Sequence, residues 1–128
     1  MRNDLIGSWG IYSWFPELGD DFVAPDSLGV AKSIKLYGKL FNCLGVCNGY
    51  LILGYRDCEI SVRPDLYVAV QSPCFEFLDE VKVVATGKSG VVIDIEWHHK
   101  KGEPIFYLEF CGRKSSRQYF TPELVFAK

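Results

Sequence analysis

The residues best equipped for chemistry are few. His98 and His99 are the only histidines, and they are adjacent. Neighbouring side chains on an extended chain point to opposite sides, so the pair cannot share a metal ion simply, and a three-histidine site is excluded. The five cysteines, Cys43, Cys47, Cys58, Cys74 and Cys111, form an odd set. Cys43 and Cys47 do not have zinc-knuckle spacing, and no second pair completes a tetrahedral ligand set. Cys43, Cys58 and Cys111 stand among strand-like apolar residues. The cysteines are read as reduced, buried thiols acting as small hydrophobes rather than as a disulfide framework. A cysteine–histidine pair can be drawn from Cys111 and His98 or His99, but any chain with five cysteines and two histidines allows that. No glycine-rich phosphate loop follows a strand, and no Gly-X-Ser-X-Gly elbow occurs. The expectation is a chain that is not an enzyme and uses neither cofactor nor metal.

Binding chemistry is better represented. Trp9, Tyr12, Trp14 and Phe15 form a dense aromatic cluster beside a loop carrying Glu17, Asp20, Asp21 and Asp26. Two readings stand: the aromatics pack in the core, or they form an aromatic–acidic surface for a basic protein ligand or an alkylated ammonium group. On the second reading Tyr12, Trp14, Glu17, Asp20 and Asp21 contact the partner. Lys100, Lys101, Arg113, Lys114 and Arg117 lie in two neighbouring turns, near Tyr107 and Tyr119. Such a patch could stack bases and neutralise phosphates. Residues 65–128 nevertheless hold nine acids against eight bases, so the field beyond the patch is weak.

Composition narrows these choices. The net charge of −2 and pI of about 5.6 argue against an electrostatically driven nucleic-acid binder. Hydrophobic residues make up 48%, which argues against disorder. No Lys/Arg-led apolar leader is apparent and no run is long enough to span a bilayer, so the expected compartment is the cytoplasm, without membrane association.

The elements that must position these groups are mostly strands. Residues 5–15 read as one strand, broken by Pro16 and Gly19. Pro25-Asp26-Ser27 opens the one convincing helix, capped by Asp26 or Ser27, with Leu28, Ala31 and Ile34 at helical spacing. Strands follow over 40–46, 50–55, 58–62 and 67–70, joined by Asn48-Gly49, Arg56-Asp57 and a Pro64-Asp65-Leu66 turn. A second series covers 79–85, 91–97, 105–110 and 115–120 before the Pro122-Glu123-Leu124 turn. In residues 91–97, Val91, Ile93, Ile95 and Trp97 alternate with Val92, Asp94 and Glu96.

The ends of the halves match. ISVRPDLYVAV and RQYFTPELVFAK each run strand, X-Pro-acid-Leu turn, short strand, with the leucine placed to plug a barrel end. The reading is a mainly β chain with a tandem repeat of two small barrel-like halves, 1–71 and 72–128, packed as one unit, with a short helix in the first. Closure, or near closure, would remove exposed strand edges.

Residues 79–95 (DEVKVVATGKSGVVIDI) resemble the opening of a Src-homology-type small barrel, in particular a KOW motif, with Gly90, Val92 and Ile95 matching its second part. The chain also resembles small uncharacterised bacterial proteins sharing GIYSWFPE-like and WHHKKGEPIFYLEF-like segments, and no function comes with that likeness. The KOW likeness implies a nucleic-acid or ribosome-associated module built on the basic patch, yet the strong basic excess of such modules is missing. The favoured expectation is a non-enzymatic protein-binding module, concretely a bacterial immunity or antidote protein covering a basic active site. Partner identity and oligomeric state stay open.

Overall fold

The computed structural model describes residues 3–34, 36 and 38–127. Chain contacts divide it into two units, Met1–Ser72 and Pro73–Lys128. The fold is mainly β, with one five-stranded antiparallel sheet in each unit and one short helix in the first.

In the first unit the strands are β1 (Trp9–Tyr12), β2 (Leu40–Cys47), β3 (Tyr50–Tyr55), β4 (Cys58–Val62) and β5 (Tyr67–Val70), and α1 (Leu28–Ile34) lies between β1 and β2. Their spatial order is β4-β3-β2-β1-β5. The opening strand is shorter than residues 5–15. A 3₁₀ turn covers Asn3–Leu5, and the Ser8 amide and hydroxyl both donate to Leu5 O, at 3.0 and 2.6 Å. Asn48 (φ 52°) and Gly49 (φ 82°) form the expected two-residue hairpin, with Cys47 opposite Tyr50. Arg56 (φ 57°) and Asp57 form the next. A bulge at Leu44 breaks the β2–β3 register between Cys43 and Gly45. It turns Leu44 outward over Gly54 while Phe41, Cys43, Leu51 and Leu53 stay buried.

The second unit contains β6 (Glu80–Val83), β7 (Ser89–His98), β8 (Glu103–Phe110), β9 (Arg113–Lys114) and β10 (Leu124–Phe126), in the order β10-β6-β7-β8-β9. Read from the other edge, this is the connectivity of the first unit. The strand expected over 115–120 is replaced by β9 and an isolated bridge from Tyr119 to Phe106. Cys111 (φ 49°) and Gly112 (φ 80°) make a two-residue hairpin between Phe110 and Arg113, which starts the strand early. In β7 a bulge between Val92 and Asp94 leaves Ile93 without a cross-strand partner residue. It breaks the alternation expected there: Ile93 and Ile95 are buried and Asp94 and Glu96 half-buried as expected, but before the bulge the phase is reversed, with Val92 fully buried and Val91 only half-buried, and Trp97 is half-buried too. One extra residue shifts the side-chain phase, and no period-2 pattern reveals it.

Neither sheet closes into a barrel, contrary to the sequence reading. β4 and β5 lie at opposite edges, and so do β9 and β10. The free side of β4 is taken by the 22–27 segment instead. Val23 bridges Val62, Ala24 N donates to Ser61 O (2.9 Å), Arg63 N to Phe22 O (2.8 Å) and Ser61 N to Ser27 Oγ (2.9 Å). Ser27 is therefore not the helix cap. Ala24 precedes the 3₁₀ turn Pro25–Ser27 that leads into α1, and it supplies no side-chain bond. The outer side of β8 is covered similarly, with Phe106 and Tyr119 exchanging amide bonds of 2.8 and 3.0 Å.

The X-Pro-acid-Leu turns are one residue out of step. Pro64 opens its 3₁₀ turn, whereas Pro122 is the second residue of Thr121–Glu123. Leu124 is consequently a buried strand residue opposite Val83, and its counterpart opposite Tyr12 is Tyr67, with Leu66 left half-buried.

Candidate binding surfaces

Residues 13–27 leave β1 and return along β4, so their shape depends on what holds them to the first unit. Two aromatics do. Trp14 is 1% exposed, and its indole Nε1 donates to Gly19 O at 2.8 Å. Tyr12 is fully buried, and its hydroxyl lies 3.0 Å from Phe22 O and 2.7 Å from Arg63 O. Both neighbours are acceptors, so the single phenolic proton is shared between them. Burial, followed by the carboxylate of Asp65 and partly offset by Arg63, raises the Tyr12 pKa well above its ordinary value. The phenol is a permanent neutral donor tying the segment's far end to the turn after β4.

This corrects the surface role expected for Tyr12 and Trp14. Both are core residues that position the segment and have no area to offer a partner. The exposed apolar groups are Phe15 (42%) and Leu18 (43%). Phe15 precedes and Leu18 ends the 3₁₀ turn Pro16–Leu18, closed by Leu18 N to Phe15 O at 2.9 Å. Residues three apart on such a turn share one side. Glu17, Asp20 and Asp21 are exposed beside them. Asp20 Oδ1 lies 3.9 Å from Lys32 Nζ, an exposed ion pair of negligible strength. Leu18 was missed in the sequence reading, which followed aromatic density. The available signal was its spacing from Phe15 across Pro16.

In the second unit Lys100, Lys101, Arg113, Lys114 and Arg117 are all exposed. Lys101 Nζ sits 4.3 Å from the Phe120 ring centre and the Arg117 guanidinium 5.2 Å from that of Tyr119. Arg117 Nη2 also lies 3.4 Å from Glu123 Oε2. Tyr107 accepts from Gln118 Nε2 (3.0 Å) and donates to Glu96 Oε1 (3.3 Å). The cations are thus interleaved with carboxylates. His98 Nδ1 accepts the Lys101 amide at 3.1 Å, and its ring packs 5.9 Å from Phe120, so His98 shapes the 98–103 turn.

Cys43 is buried as expected, but Cys47, Cys74 and Cys111 are exposed and Cys58 is half-buried. Cys47 and Cys111 adjoin or form tight hairpins, where side chains point to solvent. All five are free thiols. Among the described residues no group of three His, Cys, Asp or Glu side chains could hold a metal ion, and no helix is long and apolar enough to cross a membrane.

The fold therefore defines a class: a small, mainly β chain of two five-stranded antiparallel units with the same connectivity. The chain belongs to a family of unknown function (DUF6960), matched over residues 1–125. No curated protein matches it.

Proposed function

We propose that the chain is a non-enzymatic protein-binding module whose recognition surface is the 15–21 segment. The observation that carries this reading is the combination of exposed Phe15 and Leu18 with exposed Glu17, Asp20 and Asp21 on a segment braced by buried Tyr12 and Trp14. Bracing matters because a preformed apolar anchor loses little entropy on binding, and the carboxylate rim selects a basic partner. The narrower form of the proposal is an immunity or antidote protein of a bacterial cytoplasm that covers the basic active site of another protein. The test is affinity capture from the native host with wild type, Phe15→Ser and Asp20→Lys, each checked for an unchanged circular-dichroism melt. The reading expects a basic protein retained by wild type and lost with both variants. Identical retention by all three would discard it.

A second reading, a KOW-like nucleic-acid or ribosome-associated module, draws support from the aromatic-backed cations Lys101 and Arg117. The equal numbers of acids and bases in residues 73–128 weigh against it. This reading expects RNA or DNA binding that falls steeply with salt and disappears on Arg113→Glu. No binding at low salt removes it.

A further inference from the structure

The second unit guards one sheet edge and leaves the other open. Beyond β8 lie β9 and Tyr119, whereas among the described residues β10 has a strand only on its β6 side. Ala127 N donates to Glu80 O (3.1 Å) and Val84 N to Glu123 O (3.0 Å). In an antiparallel ladder the groups facing the neighbour alternate, so Leu124 and Phe126 turn their amides and carbonyls away from β6; the Leu124 amide closes the preceding turn on Thr121 O, which leaves the Leu124 carbonyl and the Phe126 amide and carbonyl facing outward. Edge strands are ordinarily blunted by lysine, proline or a bulge. Leu124-Val125-Phe126 is blunted only by being short, with no lysine, proline or bulge, and Val125 (47%) and Phe126 (55%) are exposed.

The ground beside this edge is apolar and acidic. Phe126 is the outer end of a run of rings, 4.9 Å from Phe75, which lies 5.4 Å from buried Phe106. It opens onto a hollow of about 490 Å³ lined by Leu78, Asp79, Glu80, Phe126 and Ala127. Leu78 is 70% exposed and holds φ 71°, which L side chains rarely adopt, with its amide donating to Val92 O at 2.8 Å. The lining thus offers a ring, an aliphatic wall and two carboxylates, with no base among the described residues that line it.

We propose that β10 is a second binding site, independent of the 15–21 surface, which takes an extended basic peptide as an added strand. The peptide's backbone pairs with the Leu124 carbonyl and with the Phe126 amide and carbonyl, and a Lys or Arg side chain enters the hollow, its stem on Phe126 and Leu78 and its charge facing Asp79 and Glu80. Charge selects this occupant over a second copy of the chain, because β10 itself, Leu124-Val125-Phe126, carries no base to set against Asp79 and Glu80.

The test is a titration of the full ¹⁵N-labelled chain with the peptide acetyl-Lys-Val-Lys-Val-Lys-Val-amide and its Glu-for-Lys counterpart. The lysine peptide should protect the Phe126 amide from exchange and bind at least tenfold more tightly than the glutamate peptide. Glu80→Lys should weaken it threefold or more. Phe126→Pro should abolish it while keeping the β6 ladder, because that amide faces outward; if this variant does not fold, Glu80→Lys carries the test. Equal binding of both peptides overturns the proposal. So do shifts confined to residues 15–21, and so does protection of β10 that grows with protein concentration in the absence of peptide.

Discussion

The two units share one strand order and differ most in one connection. In the second unit β6 reaches β7 through residues 84–88, while in the first β1 reaches β2 through residues 13–39. The longer link contributes buried Trp14, α1, the segment along β4 and the proposed recognition surface. The same five-strand frame thus tolerates a large insertion between its first two strands, where loop-closure entropy grows slowly with length. The insertion also solves an edge problem that the second unit solves differently. Residues 22–27 cover β4 from upstream, and residues 113–119 cover β8 from downstream. Charge follows the insertion. The first unit holds eight acids and six bases and the second eight of each, so the net charge of −2 resides in the unit carrying the 13–39 link.

If the insertion is part of the first unit's core, the largest effect follows from Trp14→Ala. The indole is 1% exposed and donates to Gly19 O, so the variant should lose about 3–5 kcal/mol, read from the urea midpoint. A loss below about 1 kcal/mol would make the insertion an ornament on an intact sheet. The next effect belongs to the shared frame. A Cβ at Gly10 would fall within the Tyr67 ring, whose hydroxyl is fixed at 2.8 Å from Ser8 Oγ. Gly10→Ala should therefore cost about 1–3 kcal/mol by overpacking. Ser8→Ala in the same background should recover part of that loss by freeing the ring to shift.

Much of the frame was legible, for reasons that particular residues show. Asn48-Gly49 announces a hairpin because both residues tolerate positive φ, and both adopt it. The helix was legible from Leu28, Ala31 and Ile34 and starts where Pro25-Asp26-Ser27 placed it, although Ser27 bonds to β4 and does not cap its own helix. The bulges at Leu44 and Ile93 were not legible, because an inserted residue leaves composition unchanged while reversing the faces beyond it. The proposed surface was half legible. The acids 17, 20 and 21 are exposed as their charge requires, but Tyr12 and Trp14 were indistinguishable in sequence from surface aromatics. Only the chain's return along β4 shows that they lie beneath the segment. The one-residue offset of the two proline turns was invisible for a related reason: a motif match aligns residues, and burial aligns strands.

Tyr12→Phe sharpens the comparison at an intermediate scale. It leaves Phe22 O and Arg63 O without their shared donor, which should cost about 1–2 kcal/mol. The effect should depend on pH. The folded pKa is raised above the ordinary 10.0, so the unfolded chain ionises first as pH rises. The stabilisation is then complete below about pH 10 and is lost progressively above it. Urea midpoints between pH 8 and 11 should fall for wild type and fall less for Tyr12→Phe. They should not become flat, because burial also raises the Tyr67 pKa, partly countered by its bond with Ser8. An equal decline in both proteins would mean that Tyr12 is not the buried phenol responsible.

The smallest stability effect discriminates most between scaffold and surface. Asp20 is exposed, and its carboxylate meets only an exposed lysine at 3.9 Å. Asp20→Ala should therefore change the urea midpoint by no more than about 0.5 kcal/mol. If residues 15–21 are recognised by a basic partner, the same change should raise Kd about fivefold or more and flatten its dependence on salt, since a rim charge is removed without disturbing the Phe15 and Leu18 anchors. Glu59→Ala is the matched control: an exposed acid on β4, outside the inserted link. If the two variants weaken binding alike, the partner responds to net charge alone, and the link between β1 and β2 has no special claim to the interface. If only Asp20→Ala does, recognition lies in the connection by which the first unit departs most from the second.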